Sequence, residues 1–410
     1  MKSVLFIGMV WPEPSTTAAG GRMLQLIELF LKNGYQVHFA STAQKSEHSH
    51  GLEKMGVREV EIMLNHSSFD RLLQDLCPKI AVFDRFLTEE QFGWRVREHL
   101  PNTLRILDTE DLHSLRKVRQ EALEKSVPFT PQLWLAAEIT KREMASILRS
   151  DLSLIVSTVE MSLLRSIIKV HESLLLHLPF LMAPPSPGTI NAWKSYEERA
   201  DFVCIGNGMH LPNVDAIRWL NSDIWPLIRS RLPLAKVRIY GAYLPKIVQQ
   251  MHRPDQGFLI MGKAGNALSV LEQARLNLAP LRFGAGIKGK LTDSMCAGTP
   301  SITTDIGAEG MHDGLPWSGA IANDKEDFAQ KALDLYTDPL AWGKAQRNGI
   351  DIIRTIYDKE ILESRFMQRL NTLRNGLEEH RNQNFIGSML MHHTLASSKY
   401  FSKWIEAKNP

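Results

Sequence analysis

The sequence predicts an α/β protein made of two doubly wound, Rossmann-like units facing each other across a cleft. Three observations carry this reading. Short apolar runs that read as buried strands alternate with helical stretches. The alternation runs twice, once before residue 182 and once after residue 201. Between the two series, residues 183–188 hold Pro184, Pro185, Pro187 and Gly188, which cannot continue helix or sheet. The expected division is therefore a first unit over 1–182, a linker over 183–200, a second unit over 201–350, and C-terminal helices with an amphipathic tail over 351–410.

The first strand is Val4-Leu5-Phe6-Ile7-Gly8, apolar on both faces as a parallel strand must be. A loop rich in Pro, Ser, Thr, Ala and Gly follows over 11–21. Met23, Leu26, Ile27 and Phe30 then recur at helical spacing, and Gly34 stops that helix. Residues 37–40 give the second strand. Residues 80–84 and 104–108 are strands that each end in an aspartate, Asp84 and Asp108. A charged stretch over 115–149 reads as one long helix. Residues 152–156 form another strand, then come Ser157 and a helix beginning near Glu160. The second series has strands at 202–205, 237–240, 258–261, 276–279 and 301–304, with helices between them. From Asp327 onward the chain reads as helical.

Composition limits the function. Of 410 residues, 44% are hydrophobic and 23% charged, which excludes disorder as the dominant state. The 48 basic and 45 acidic side chains leave a net charge of +3, too near neutral for a nucleic-acid partner. Cys77, Cys204 and Cys296 are far apart, so a reducing, cytoplasmic compartment is expected rather than a disulfide framework. No apolar run reaches the ~18 residues of a spanning helix. The apolar run after Lys2 reads as the first strand rather than a signal core, because it is short and no cleavage site follows. His48 with His50, and His392 with His393, lack neighbouring ligands at metal spacing, and no metal site is expected. The tail carries Phe385, Met389, Leu390, Tyr400, Phe401, Trp404 and Ile405 interleaved with Lys399, Lys403 and Lys408. Such a segment suits peripheral contact with the inner face of a membrane, or packing back onto the protein.

The stretch Pro280-Leu-Arg-Phe-Gly-Ala-Gly-Ile-Lys-Gly-Lys-Leu-Thr-Asp-Ser-Met-Cys-Ala-Gly-Thr-Pro300 carries the chemistry. It leaves a buried strand through Gly284, Gly286 and Gly289 and enters a helix over 292–297. A bare loop running into a helix exposes free N–H groups and the positive end of the dipole, a good place for phosphate oxygens. Lys288 and Lys290 add full charges, and Asp293 is placed to accept hydrogen bonds from ribose hydroxyls. The expectation is a pyrophosphate held at the mouth of a crevice, with Lys288 open to it. A plain strand-to-helix turn with solvated lysines is the alternative.

This stretch resembles the donor-binding segment of family 4 glycosyltransferases, also known as glycosyl transferases group 1, which have the GT-B fold. Residues 205–213 with Ala216 and Trp219, Tyr240-Gly241, Met261-Gly262, residues 303–310 and residues 321–324 extend the resemblance through about 200–360. The first half is similar only through its first strand, Gly20-Gly21-Arg22 and the next helix. Two positions depart from the family pattern. Of its two glutamates eight positions apart, the second falls at Asp293 and the first at Ala285. Asn207 and His210 stand where an arginine and a lysine often hold the diphosphate, which leaves that work to Lys288, Lys290 or Arg282.

The resemblance implies transfer of a sugar, a hexose in most of the family, from a nucleotide-diphosphate sugar to a glycan or lipid-linked acceptor of the cell envelope. It further implies retention of configuration, no essential metal and no cofactor, the nucleotide sugar being a substrate. It places Gly20, Gly21, Arg22, Gly206, Arg282, Gly286, Lys288, Gly289, Lys290, Asp293 and Glu309 at the donor. Asp108-Thr-Glu-Asp-Leu-His113 follows a strand at its carboxyl end, where ligands bind in such sheets. In similar enzymes a histidine in this region approaches the donor sugar, so the resemblance makes His113 and Asp111 the candidate catalytic residues, with a capped helix start as the competing reading. Asp84-Arg85 shares the placement. A nucleotide-sugar epimerase and a non-catalytic nucleotide-sugar-binding scaffold are the alternatives.

Overall fold

The computed structural model describes residues 2–408. It contains two parallel sheets. In the first lobe seven strands run in the order β3-β2-β1-β4-β5-β6-β7. They are β1 Ser3–Gly8, β2 Gln36–Ser41, β3 Arg58–Glu61, β4 Ile80–Asp84, β5 Leu104–Asp108, β6 Leu152–Ile155 and β7 Leu175–His177. In the second lobe six strands run β10-β9-β8-β11-β12-β13. These are β8 Ala200–Ile205, β9 Val237–Tyr240, β10 Phe258–Gly262, β11 Ala274–Ala279, β12 Ser301–Thr303 and β13 Gly319–Ile321. This is the GT-B arrangement. Each sheet reverses its strand order beside its first strand, at β1/β4 and at β8/β11, and the crevice beyond the carboxyl ends at that point is where such sheets bind ligands.

The buried strands form because their residues are apolar on both faces: all five residues of β4 and of β5 are buried. The first helix, Ala18–Lys32, is capped by the Thr17 hydroxyl accepting from Gly20 N–H at 2.9 Å, and ends before Gly34, whose φ of 73° suits a residue without Cβ. Three strands have no clear sequence signal. β3 sets half-buried Glu59 and Val60 between exposed Arg58 and Glu61 at a sheet edge, and β7 and β13 have only three residues each.

Two predicted elements change. The stretch 115–149 is three helices, His113–Glu124, Pro131–Ala136 and Glu138–Arg149. Pro128 cannot continue a helix, and Thr130 with Pro131 starts the next one as N-cap and N1. The linker contains a short helix, Pro187–Ala192, started the same way by Ser186 and Pro187. It ends at Trp193, which packs so closely under Gly298 that a Cβ there would lie 2.4 Å from the ring.

The chain then crosses back. Met182 N–H donates to Tyr357 O, and Lys359 N–H to Met182 O, both at 2.9 Å. The helix Lys359–Asn375 inserts Leu362, Phe366, Leu370 and Leu373 into the first lobe's core, with Phe366 edge-on to Phe30 at 5.7 Å. Each such buried side chain contributes about 2 kcal/mol. The terminal helix Phe385–Lys408 lies on the same lobe, against the helices Arg85–His99 and Glu138–Arg149. The C-terminal helices thus tie the end of the second unit onto the first.

Candidate active site

The two sets of strand ends meet. From the first lobe come Gly8, Asp84 and Asp108 with the turns after them; Met9 N–H donates to Asp84 Oδ2 at 3.0 Å. Two residues here hold left-handed backbone without being glycine, Arg85 at φ 70° and Glu110 at φ 61°. Such strain persists only where the surroundings over-determine it, and it gathers at functional sites. Arg85 lies in the field of Asp84, Glu110, Asp111 and Asp108. Burial first, then the neighbouring Asp108 charge, pushes the Glu110 carboxyl up to about 8.

His113 opens its helix, and its Nε2 lies 3.2 Å from Asp111 Oδ1 with Phe86 edge-on. Burial takes its imidazole down to about 4, so it is neutral near pH 7 and serves as a hydrogen-bonding group, not a cation. Burial alone would raise the Asp111 carboxyl; Arg116, His113 and His210 together hold it below the usual range. Arg116 binds it at 2.8 Å.

From the second lobe comes the loop 280–289. Gly286 has φ 63°, and a Cβ there would lie 2.7 Å from the Asp111 Cβ across the seam. Its N–H donates to Glu160 Oε1 at 2.8 Å, an oxygen that also accepts from Leu112 N–H at 2.9 Å. Lys288 occupies the N-cap position of the helix Gly289–Cys296 and provides no side-chain cap. Its Nζ donates to Gly286 O at 2.8 Å and lies in the field of Glu309, Arg119, Glu160 and Asp111, groups of both lobes. Burial lowers its ammonium to about 8. Lys290 Nζ donates to Asn213 Oδ1 at 2.6 Å, and a Cβ on Gly206 would lie 2.7 Å from that Nζ. Gly206 is therefore a position of close approach beneath Lys290. Burial pushes the Asp293 carboxyl up to about 7.

The crevice is closed, and here the structure corrects the expectation of an open mouth. Lys288 is 9% exposed. Arg119 bridges to Glu309 at 2.6 and 2.7 Å and to Gly284 O at 2.9 Å. Asn207 Nδ2 reaches Thr16 O at 3.3 Å, and Tyr243 OH reaches Glu13 at 3.1 Å. His48 Nδ1 sits 3.0 Å from Lys263 Nζ, a further contact between lobes. Gly289 faces the start of the first helix, where a Cβ would come within 2.6 Å of the Ala18 Cβ. Lys288 is buried at the interface and not within either core, so any ligand reaches it only when the lobes part.

Other predicted donor residues are engaged by the protein itself. Arg22 is fully buried: it pairs with Asp108 at 2.8 Å and donates to Leu178 O and Pro179 O, so it braces the first lobe and does not face a ligand. Arg282 is held by Asp215, with its Nε 2.9 Å from Oδ2, and stacks over Trp219. This pair lies at the surface of the second lobe, with the Arg282 side chain 38% exposed. Glu309 is occupied by Arg119. Gly20 is needed for chain packing, since a Cβ would meet the Glu13 backbone at 2.5 Å, whereas a Cβ on Gly21 would meet nothing. The His392–His393 pair lies on the terminal helix, and the His393 side chain lies outside the described residues.

Sequence reasoning passed over Glu160, Glu143, Arg116 and Arg119. Glu143 is buried and accepts from His113 N–H and from Ser114 N–H at 2.8 and 3.0 Å, fixing the start of the His113 helix. Burial raises its carboxyl to about 7. The one signal available was the spacing of Arg116 and Arg119, which puts both on one helix face.

Residues 199–338 match the family model described as Glycosyl transferases group 1. This match falls on the second lobe, which begins at β8. Sucrose-phosphate synthase from Thermosynechococcus elongatus superposes with a TM-score of 0.66 at 15% identity, over 91% of this chain and 99% of that one. Anabaena HepE, solved in complex with UDP, gives 0.66 at 10% identity, over 91% and 100%. A mutant of S. aureus TarM in complex with Fondaparinux, alpha-GlcNAc-glycerol and UDP gives 0.57 at 14% identity, over 74% of this chain and 58% of that one. No curated protein sequence matches the chain. The similarity to these structures shows that the chain has the GT-B fold.

Proposed function

We propose that this protein is a retaining, metal-independent hexosyltransferase that moves a sugar from a nucleotide-diphosphate sugar to a hydroxyl of a glycan or lipid-linked acceptor. One observation carries the reading: Lys288 sits at the uncapped start of the Gly289–Cys296 helix, facing groups of both lobes. In this reading the diphosphate takes the place of the contacts that now engage Lys288 and the Gly286 N–H.

The bond between the anomeric carbon and the phosphate oxygen breaks, and both electrons leave with the nucleoside diphosphate. The acceptor oxygen bonds to the same carbon from the same face, and its proton passes to the departing phosphate. Lys288, Lys290 and the loop amides stabilise the charge that grows on the diphosphate, most strongly where water is excluded. Neutral His113, held by Asp111 and Phe86, hydrogen-bonds the sugar. Closure of the seam removes water. Cleavage without acceptor, giving an isomeric nucleotide sugar, would mark an epimerase instead. The dispersed free cysteines support a cytoplasmic reaction.

The test is a thermal-shift screen against UDP, GDP, ADP, CMP and dTDP sugars. A native-state ligand at a hundred times its Kd stabilises by about 2.7 kcal/mol. One nucleotide should raise the melting temperature of the wild type and not of Lys288→Ala. No shift with any nucleotide sinks the proposal.

A further inference from the structure

The terminal helix Phe385–Lys408 meets the first lobe with one face only. On that face Met391 and Ser402 are buried, and Arg95 donates to Ser402 Oγ at 3.2 Å. Asn384 Nδ2 donates to Leu148 O at 2.7 Å, and a Cβ on Gly387 would lie 2.2 Å from the same oxygen. The helix is therefore docked on the lobe. The opposite face carries Phe385, Ile386, Met389, Tyr400, Phe401 and Trp404, all exposed, with Phe401 and Trp404 stacked at 6.0 Å. Spacings of three, four and eleven residues place these side chains along one side of a 24-residue helix about 36 Å long.

The charges on this helix are one-sided. Lys403 is exposed beside the apolar stripe, and Lys408 lies 5.0 Å over the Trp404 ring. The helix's single acid, Glu406, is turned to the body, where it accepts from Ser67 N–H at 2.9 Å and lies 3.8 Å from Arg95. Lys399 is neutralised by Glu98 at 2.7 Å. Among the described residues, the outward face is thus aromatic and aliphatic at both ends of the helix, flanked by lysines, and free of acid. No described helix is long and apolar enough to cross a membrane.

We propose that this outward face is the docking surface for an anionic lipid bilayer, with the helix lying flat at the headgroup level. Aromatic rings with one polar edge and lysines on flexible stems partition to that depth, and anionic headgroups supply the charge the face lacks. A second copy of this chain would present the same positive, acid-free face and gain no charge complementarity. The inference is independent of the donor reading. It would hold the first lobe against the surface from which a lipid-linked acceptor comes.

The test is co-sedimentation of the full chain with vesicles of phosphatidylcholine alone, or with a quarter phosphatidylglycerol, alongside light scattering for oligomeric state. Expected is sedimentation with the anionic vesicles that falls at high salt. It should drop at least about tenfold in Lys403→Glu with Lys408→Glu, and likewise in Phe401→Ser with Trp404→Ser. These exposed positions should leave the melting temperature unchanged. Three results would each overturn the proposal: no dependence on phosphatidylglycerol, serine variants that sediment like the wild type, or a wild-type dimer that the serine variants split. Nucleotide binding in the thermal-shift screen reports separately on the donor site.

Discussion

Glu160→Gln should stabilise the protein, and the gain should grow with pH. Glu160 is 1% exposed, with one oxygen accepting from Leu112 and Gly286 N–H and the other, Oε2, buried without a partner. Burial first, then the Asp111 charge, raises its carboxyl from an ordinary 4.5 to about 8, against the two amide bonds and Lys288. The folded state therefore keeps the proton over a range in which the unfolded chain has lost it. Wherever the native state binds more protons, stability falls as pH rises. The contribution is fully present near pH 4.5, declines by about 1.4 kcal/mol per pH unit, and is gone above about 8. Glutamine keeps an oxygen for both amides and does not titrate. Between pH 6 and 8 the variant should gain roughly 2–3 kcal/mol on the wild type, or about 5 °C in melting temperature. Melting curves of both proteins at the two pH values decide it. A gap in melting temperature that is the same at pH 6 and pH 8 refutes the raised carboxyl and the buried cross-lobe contact behind it.

Other substitutions test other parts of the structure. Arg22→Leu strips Asp108 of its partner in a fully buried site and should cost about 3–5 kcal/mol, while adding Asp108→Asn should restore part of it. Equal melting points for the two variants would show that the pair does not act as a unit. Asp293→Asn should raise the donor KM more than it lowers kcat if this carboxyl meets the ribose, and an unchanged KM removes that role. Arg119→Ala loses the bridge to Glu309 and Gly284 and should lower kcat/KM roughly ten- to a hundredfold while the radius of gyration grows, both read on the free and donor-bound protein. Normal turnover with a more open shape would show that this bridge is not part of productive closure. Donor affinity should fall as pH rises through about 8, where Lys288 loses its charge, and Lys288→Arg should flatten that fall.

Much of the fold was legible because each layer obeys a local rule. Strands buried on both faces are continuous apolar runs, as in Ile80–Asp84 and Leu104–Asp108. Prolines and glycines mark where those runs end. The short strands Leu175–His177 and Gly319–Ile321 escaped because three residues carry no period, and only their neighbours define them. The terminal segment shows the same division. Its amphipathic pattern offered two readings, and the structure supports part of each: one face packs on the lobe and the other stays exposed.

By itself the sequence determined the two-unit plan and the glycine-rich loop before the Gly289–Cys296 helix, with Lys288 and Lys290 at its end. Backbone freedom and residue type are properties of a position, and both can be read there. Only the tertiary structure decided which charges remain for a ligand. Arg22 and Arg282 look like Lys288 in the sequence, but Asp108 and Asp215 claim them from 86 and 67 residues away. Glu160 meets the Gly286 amide across 126 residues and between lobes. Partner choice at such distances follows from how strands and helices pack in space, and no window along the chain contains it.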